Sequence, residues 1–190
     1  MTATVDARVK GTGFLGIASS IREVLGDEVY ERTLTELPPE IRDALRFGTV
    51  TPSAWVPIAW HAALHDAVVT ASRSGPTVCR RIAKHTTIAH FNGVYRIFAR
   101  VAGPEMVFPK ASAILRTYYS HAEVTTHEVR KGYTRTEFHG CVGFTPPIWE
   151  NIAGACEAIL ELSGAKTLRL RIVAGGRAGD ESAVVEGRWL

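Results

Sequence analysis

His61 and His65 stand four residues apart in a stretch whose apolar spacing predicts a helix, so both imidazoles fall on one face, where they can share a metal ion. Asp66, the nearest acidic residue, points around that helix, and no third ligand is evident beside it. The glutamate of a His-Glu-x-x-His motif is absent, which excludes metalloprotease chemistry and makes structural or surface histidines the plainer reading. His85, His90, His121, His127 and His139 are dispersed and lack the compact spacing of a zinc site. Cys79, Cys141 and Cys156 are an odd, scattered set that encodes neither a disulfide framework nor a zinc ribbon, so reduced, partly buried thiols are expected. Cys141 shares a strand face with His139, but no carboxylate orients that histidine, and no serine lies in a Gly-x-Ser-x-Gly turn. No local string encodes a nucleophile. A non-catalytic protein is expected, with a centre assembled from distant residues left open.

Two further patterns bear on ligands. Gly11-Thr12-Gly13-Phe14-Leu15-Gly16 matches Gly-x-Gly-x-x-Gly, yet a long helical stretch follows it instead of alternating strands and helices, so it reads as a glycine-rich turn before a helix. Between Asp66 and Glu105 there is no acidic residue, while Arg73, Arg80, Arg81, Lys84, Arg96 and Arg100 give a local charge of +6. Arg80, Arg81, Lys84, Arg96 and Arg100 are candidate contacts for an acidic partner. The bland alternative is a solvated face balanced by Glu23, Asp27, Glu28 and Glu31. Phe91, Tyr95 and Phe98 fall at core spacing and make a poor base-stacking platform, so a nucleic-acid partner is not expected.

The elements that must position these residues change character along the chain. Phe14, Ile17, Ile21 and Val24-Leu25 mark a first helix that ends at Gly26, and Asp27 then caps a short turn through Tyr30. Ile41, Leu45 and Phe47 are the apolar positions of the piece after Pro38-Pro39. Thr51-Pro52 reads as a helix start, with the helix running through Trp55 and Val68 to Gly75-Pro76. Helix then occupies 78–102, with a break near Thr86-Thr87, and another runs from about Glu105 to Tyr118. Residues 122–130 and 133–142 form a hairpin over Lys131-Gly132. A helix from Pro146-Pro147 to Gly164 and two strands, around Leu168–Ile172 and Ser182–Trp189, complete an α+β fold, in which an antiparallel sheet of about four strands is crossed by one helix. One domain over 1–190 is expected, helical over 1–120 and sheet over 121–190.

The 190 residues are 46% hydrophobic and 22% charged, enough to bury a sizeable core, and 22 basic against 19 acidic residues leave a net charge of +3 that demands no polyanionic partner. No apolar run approaches the ~20 residues of a membrane-spanning helix. The start, Met1-Thr2-Ala3-Thr4-Val5-Asp6, lacks a basic region followed by an apolar core. A cytoplasmic protein with no membrane partner is expected.

Val9-Lys10-Gly11-Thr12, Leu25-Gly26-Asp27-Glu28-Val29, Trp55-Val56-Pro57 before paired helices, Gly103-Pro104, and Tyr118-Tyr119-Ser120 before a sheet follow one another in an order that resembles the heme-nitric oxide/oxygen binding (H-NOX) domain. The chain also resembles the related 4-vinyl-reductase-like ligand-binding domains, and in overall feel an uncharacterised myxobacterial paralogous family of the same fold. In the heme-binding family a tyrosine, a serine and an arginine at alternate positions hold the heme propionates, and a helical histidine ligates the iron. The resemblance places Tyr118 and Ser120 in that trio, puts Ala122 where the arginine belongs, and offers His90 as the iron ligand, with His61 or His65 behind it. Zinc as used by some 4-vinyl-reductase-like domains would need C-terminal cysteines, and 165–190 has none.

The resulting expectation is a sensory or ligand-binding module without a cofactor. Its small apolar ligand would sit between helices and sheet, contacted by Trp55, His90, Phe91, Tyr118, Ser120 and Cys141. A heme-binding gas or redox sensor using His90 is the alternative, followed by an assembly protein that docks an acidic partner. A second copy of the chain is also allowed as partner.

Overall fold

The computed structural model describes residues 6–90 and 103–190. Two short strands, β1 (Arg8–Lys10) and β2 (Trp55–Pro57), pair antiparallel with Val9 opposite Val56. This ribbon replaces the helix start expected at Thr51-Pro52, for a physical reason. The first N–H groups of α1 (Gly11–Leu25) have no partner within the helix and no side-chain cap. Gly11 N donates instead to Ala54 O (2.7 Å) and Thr12 N to Pro52 O (2.9 Å), so the 51–54 turn is spent on capping α1. Gly11 is the one residue type that fits there, because a Cβ would collide with Thr51 O.

Phe14, Ile17 and Ile21 of α1 are buried as their spacing predicts. The helix α2 runs from Asp27 to Glu36 rather than stopping at Tyr30, helped by an Arg32–Glu28 pair at 2.7 Å. After α3 (Pro39–Arg46), Phe47 is 77% exposed and no part of the core. Two longer helices follow, α4 (Ile58–Ser72) and α5 (Thr77–His90). α5 passes through Thr86-Thr87 unbroken, since Thr86 Oγ1 finds partners in Ile82 O (2.9 Å) and Ser20 Oγ (2.7 Å). The rest of the expected helix, 91–102, lies outside the described residues. Pro104–Lys110 is 3₁₀ rather than α, as Pro109 inside it cannot donate, and α6 (Ala111–Tyr118) follows.

The second half is the α+β arrangement read from the sequence. β3 (Glu123–Arg130) and β4 (Tyr133–His139) form the hairpin, with Gly132 at φ 75° in its two-residue turn. α7 (Pro146–Leu162) crosses to β5 (Arg169–Gly175) and β6 (Ala183–Arg188), and the four strands lie antiparallel in the order β3-β4-β6-β5. Thr134, Thr136 and Phe138 of β4 alternate with more exposed neighbours and turn inward with Val185 and Leu170. α7 packs on α5 so closely that a Cβ on Gly154 would overlap the backbone of Arg80. Trp149 carries the core across to the sheet, its ring centroid 6.5 Å from that of Phe138. Among the described residues no helix is long and apolar enough to cross a membrane.

Candidate functional site

Between the helices and the sheet lies a cavity walled by residues of β1, all the helices from α4 to α7, α1 and the sheet. Most of its wall is apolar, including Ile17, Phe108, Leu115, Phe138 and Ile152. Among the described residues no Lys, Arg, Asp or Glu reaches it. Its polar groups are few: His61, Thr86, His90, Tyr118, Tyr119, Thr134, Thr136 and Asn151 carry almost all of them. An apolar enclosure with a handful of convergent polar groups is the usual build of a small-molecule site.

Of the six residues expected to contact the ligand, His90 and Tyr118 stand in this wall, and His61 and Cys156 stand there too. His90 ends α5 and leans over α1, its Nδ1 3.2 Å from where a Cβ of Gly16 would be. Tyr118 ends α6, half-buried, and burial raises its phenol pKa. Trp55, Ser120 and Cys141 stand elsewhere. Trp55 lies under the Lys10 ammonium on β2, at 4.6 Å. Ser120 is exposed and accepts from Arg8 N (3.0 Å) while facing His121 Nδ1 (3.1 Å). Cys141 is fully buried, and burial, reinforced by the charge of Glu181, pushes its thiol up to about 12, so it is no nucleophile at neutral pH. Phe91 lies outside the described residues, as do Arg96 and Arg100.

Two residues of the basic stretch are balanced, and by α7 rather than by the N-terminal acids. Arg80 sits between Glu150 (2.7 Å) and Glu157 (3.2 Å), and Lys84 pairs with Glu161 at 2.7 Å. These three carboxylates, more than 65 residues downstream, were invisible to local charge counting. Arg81 is exposed.

Deep in the wall is a polar cluster of which the sequence showed only half. His61 Nε2 lies 3.2 Å from His65 Nε2 and 3.4 Å from the hydroxyl of Tyr119, to which Asn151 Nδ2 donates at 3.3 Å. His61 is 1% exposed and His65 not at all. Burial alone lowers His61 to about 3, and burial together with the neighbouring His61 lowers His65 as well, so both rings are neutral at pH 7. The signal for Asn151 was a polar residue on the apolar stripe of α7, three residues after Ile148.

No family model matches the chain, and no curated protein matches it in sequence. Solved structures do match in shape. An iron(II), unliganded H-NOX protein from K. algicida superposes with a TM-score of 0.71 at 12% identity, over 95% of this chain and 96% of that one. An oxygen-binding H-NOX domain related to soluble guanylate cyclases, in its oxygen complex, gives 0.67 at 12% identity over 95% and 94%. A structure from a study of heme distortion in the H-NOX family gives 0.59 at 14% identity over the same shares. The fold is therefore H-NOX-like. The 4-vinyl-reductase-like and myxobacterial resemblances gain no support from these neighbours. The expectation of a module without a cofactor is overturned by them, because they are heme-binding domains.

Proposed function

We propose that this chain is a ligand-binding sensor domain that holds a heme in the cavity between its helices and its sheet, with His90 as the residue that would ligate the iron. The observation that carries this reading is the place of His90: an imidazole in the wall of a largely apolar cavity that no charged side chain enters among the described residues. Imidazole is a common protein ligand for heme iron, and an apolar enclosure suits the faces of a porphyrin. Bound there, the heme would supply an iron atom able to take a diatomic gas or change oxidation state. Ile17, Phe108, Leu115 and Phe138 would exclude water from the ring.

The propionates meet a different environment from the one the resemblance implies. Ala122 is fully buried and Ser120 is committed to Arg8 and His121, so these two positions offer no guanidinium clamp. Weaker retention of heme than in a domain with such a clamp follows. Titrating hemin into the purified full chain tests the reading: a Soret band saturating at one equivalent, and lost in His90→Ala, is expected. Absence of stoichiometric binding to folded protein overturns it.

A further inference from the structure

We propose that His61, His65 and Tyr119 form a second, heme-independent site for a divalent first-row transition ion, with Zn²⁺ as its probe. The inference goes beyond the heme reading and does not rest on it.

The first argument is hydrogen-bond accounting. An imidazole nitrogen offers one lone pair or one N–H, never both. His61 Nε2 nevertheless faces two partners, His65 Nε2 at 3.2 Å and the Tyr119 hydroxyl at 3.4 Å. If His61 Nε2 accepts, two donors compete for one lone pair. If it donates, one of its two neighbours goes unserved. Around these groups His61 Nδ1, His65 Nδ1 and Asn151 Oδ1 are buried without any partner, in a core where such atoms are usually satisfied. Protein atoms alone do not complete this cluster.

The second argument is metric. Zinc binds imidazole nitrogen at about 2.0–2.1 Å, so two nitrogens on one tetrahedral ion stand about 3.3 Å apart. The two separations from His61 Nε2, 3.2 Å to His65 Nε2 and 3.4 Å to the Tyr119 oxygen, match that spacing. The i, i+4 placement on α4 brings both rings to it, and their burial keeps the lone pairs free of protons.

The third argument is the setting of the oxygen. Burial disfavours the Tyr119 phenolate, and the Asn151 Nδ2 donor at 3.3 Å works the other way, supporting the phenolate that a bound divalent ion would draw out. Binding would release the phenol proton to solvent as the oxygen–metal bond forms. Two neutral imidazoles and one phenolate leave a net charge of +1 with a divalent ion. His61, Tyr119 and Asn151 all reach the cavity wall, so a fourth coordination position faces the cavity and is open to water or a small ligand.

The test is a Zn²⁺ titration by calorimetry of chelator-treated, heme-free full chain, with Co²⁺ as a spectroscopic substitute. One equivalent bound, visible d–d bands of four-coordinate Co²⁺, and proton release are expected. His65→Ala should weaken binding at least a hundredfold. Tyr119→Phe, which keeps the packing, should weaken it at least tenfold and abolish the proton release. Circular dichroism identifies folded variants, and if His65→Ala does not fold, Tyr119→Phe decides. No stoichiometric binding by the folded wild type, or binding unchanged in a folded variant, overturns the proposal. A missing Soret band in the hemin titration leaves this result untouched, so the two readings fail separately.

Discussion

Gly154→Ala puts the packing of α5 on α7 at risk and has a sign that the structure decides. In the middle of an exposed helix this change stabilises by about 1 kcal/mol, since alanine is the better helix former. Here the added Cβ would overlap Arg80 O and stand 2.9 Å from both Arg80 C and Arg80 Cα. Carbon atoms rest at about 3.5–4.0 Å, so the helices must part by at least about 0.6 Å, which forfeits a quarter to a half of the dispersion energy across the contact. The obstacles are backbone atoms, so no rotamer change relieves them. Separation also pulls on the Arg80–Glu150 and Lys84–Glu161 pairs, both at 2.7 Å. Overpacking of this kind costs roughly 3 kcal/mol at the upper end, and subtracting the propensity gain leaves about 2 kcal/mol of destabilisation. With a urea m-value of about 2 kcal/mol/M, the unfolding midpoint should fall by about 1 M. Gly75→Ala is the control, because nothing lies within 4 Å of a Cβ there, and it should leave the midpoint unchanged or raise it slightly. A Gly154→Ala protein as stable as the wild type would refute the close crossing.

Gly16→Ala should act more on the site than on the fold: its Cβ meets the His90 ring, which can swing away, while Thr86 Cγ2 at 2.9 Å is held by the hydrogen bonds of Thr86 and the small strain there is offset by the helix propensity of alanine. Swinging the ring off α1 should lower hemin affinity about tenfold, read in the Soret titration, with the urea midpoint changing by less than about 1 kcal/mol equivalent. Acid should destabilise the protein through α4. His61 is depressed to about 3 and His65 is depressed too, whereas unfolded histidine titrates near 6.5. Below pH 6.5 the unfolded state therefore binds protons that the native state refuses. Stability should fall from pH 6.5 toward pH 3 by up to about 1.4 kcal/mol per pH unit for each ring, measured as urea midpoints across that range. A flat profile would mean the rings are not buried.

The helices and the sheet were legible because their signals are local. Phe14, Ile17 and Ile21 repeat at helical spacing, and Lys131-Gly132 marks a two-residue turn between runs of strand formers. The β1–β2 ribbon was not legible, since Thr51-Pro52 has the composition of a helix start and only the unpaired N–H groups of α1, forty residues away, explain its real use. The charge balance of Arg80 and Lys84 was hidden in the same way, on α7. Within the site, the His61/His65 spacing was visible, but the partners that make it chemistry, Tyr119 and Asn151, come from a bridge residue and from another helix. No separation in sequence could reveal them.

Tyr118, Ser120 and Ala122 show how a motif can keep its spacing and lose its geometry. Alternate residues point the same way only in extended chain. Tyr118 closes α6, Tyr119 turns to extended backbone at φ −125°, and Ser120 then leaves the cavity while Tyr118 stays in its wall. Restoring the arginine therefore should not restore a propionate clamp. Ala122 is 0% exposed, and Ala122→Arg would force a long side chain and an unpaired charge into the core, at a cost of several kcal/mol. Against a total stability of about 5–15 kcal/mol, a drop of about 4 kcal/mol should show as a large fall in the urea midpoint, with no gain in hemin affinity. If Ala122→Arg instead folds with wild-type stability and binds hemin more tightly, the arginine has reached a propionate and the motif is a working clamp missing one residue.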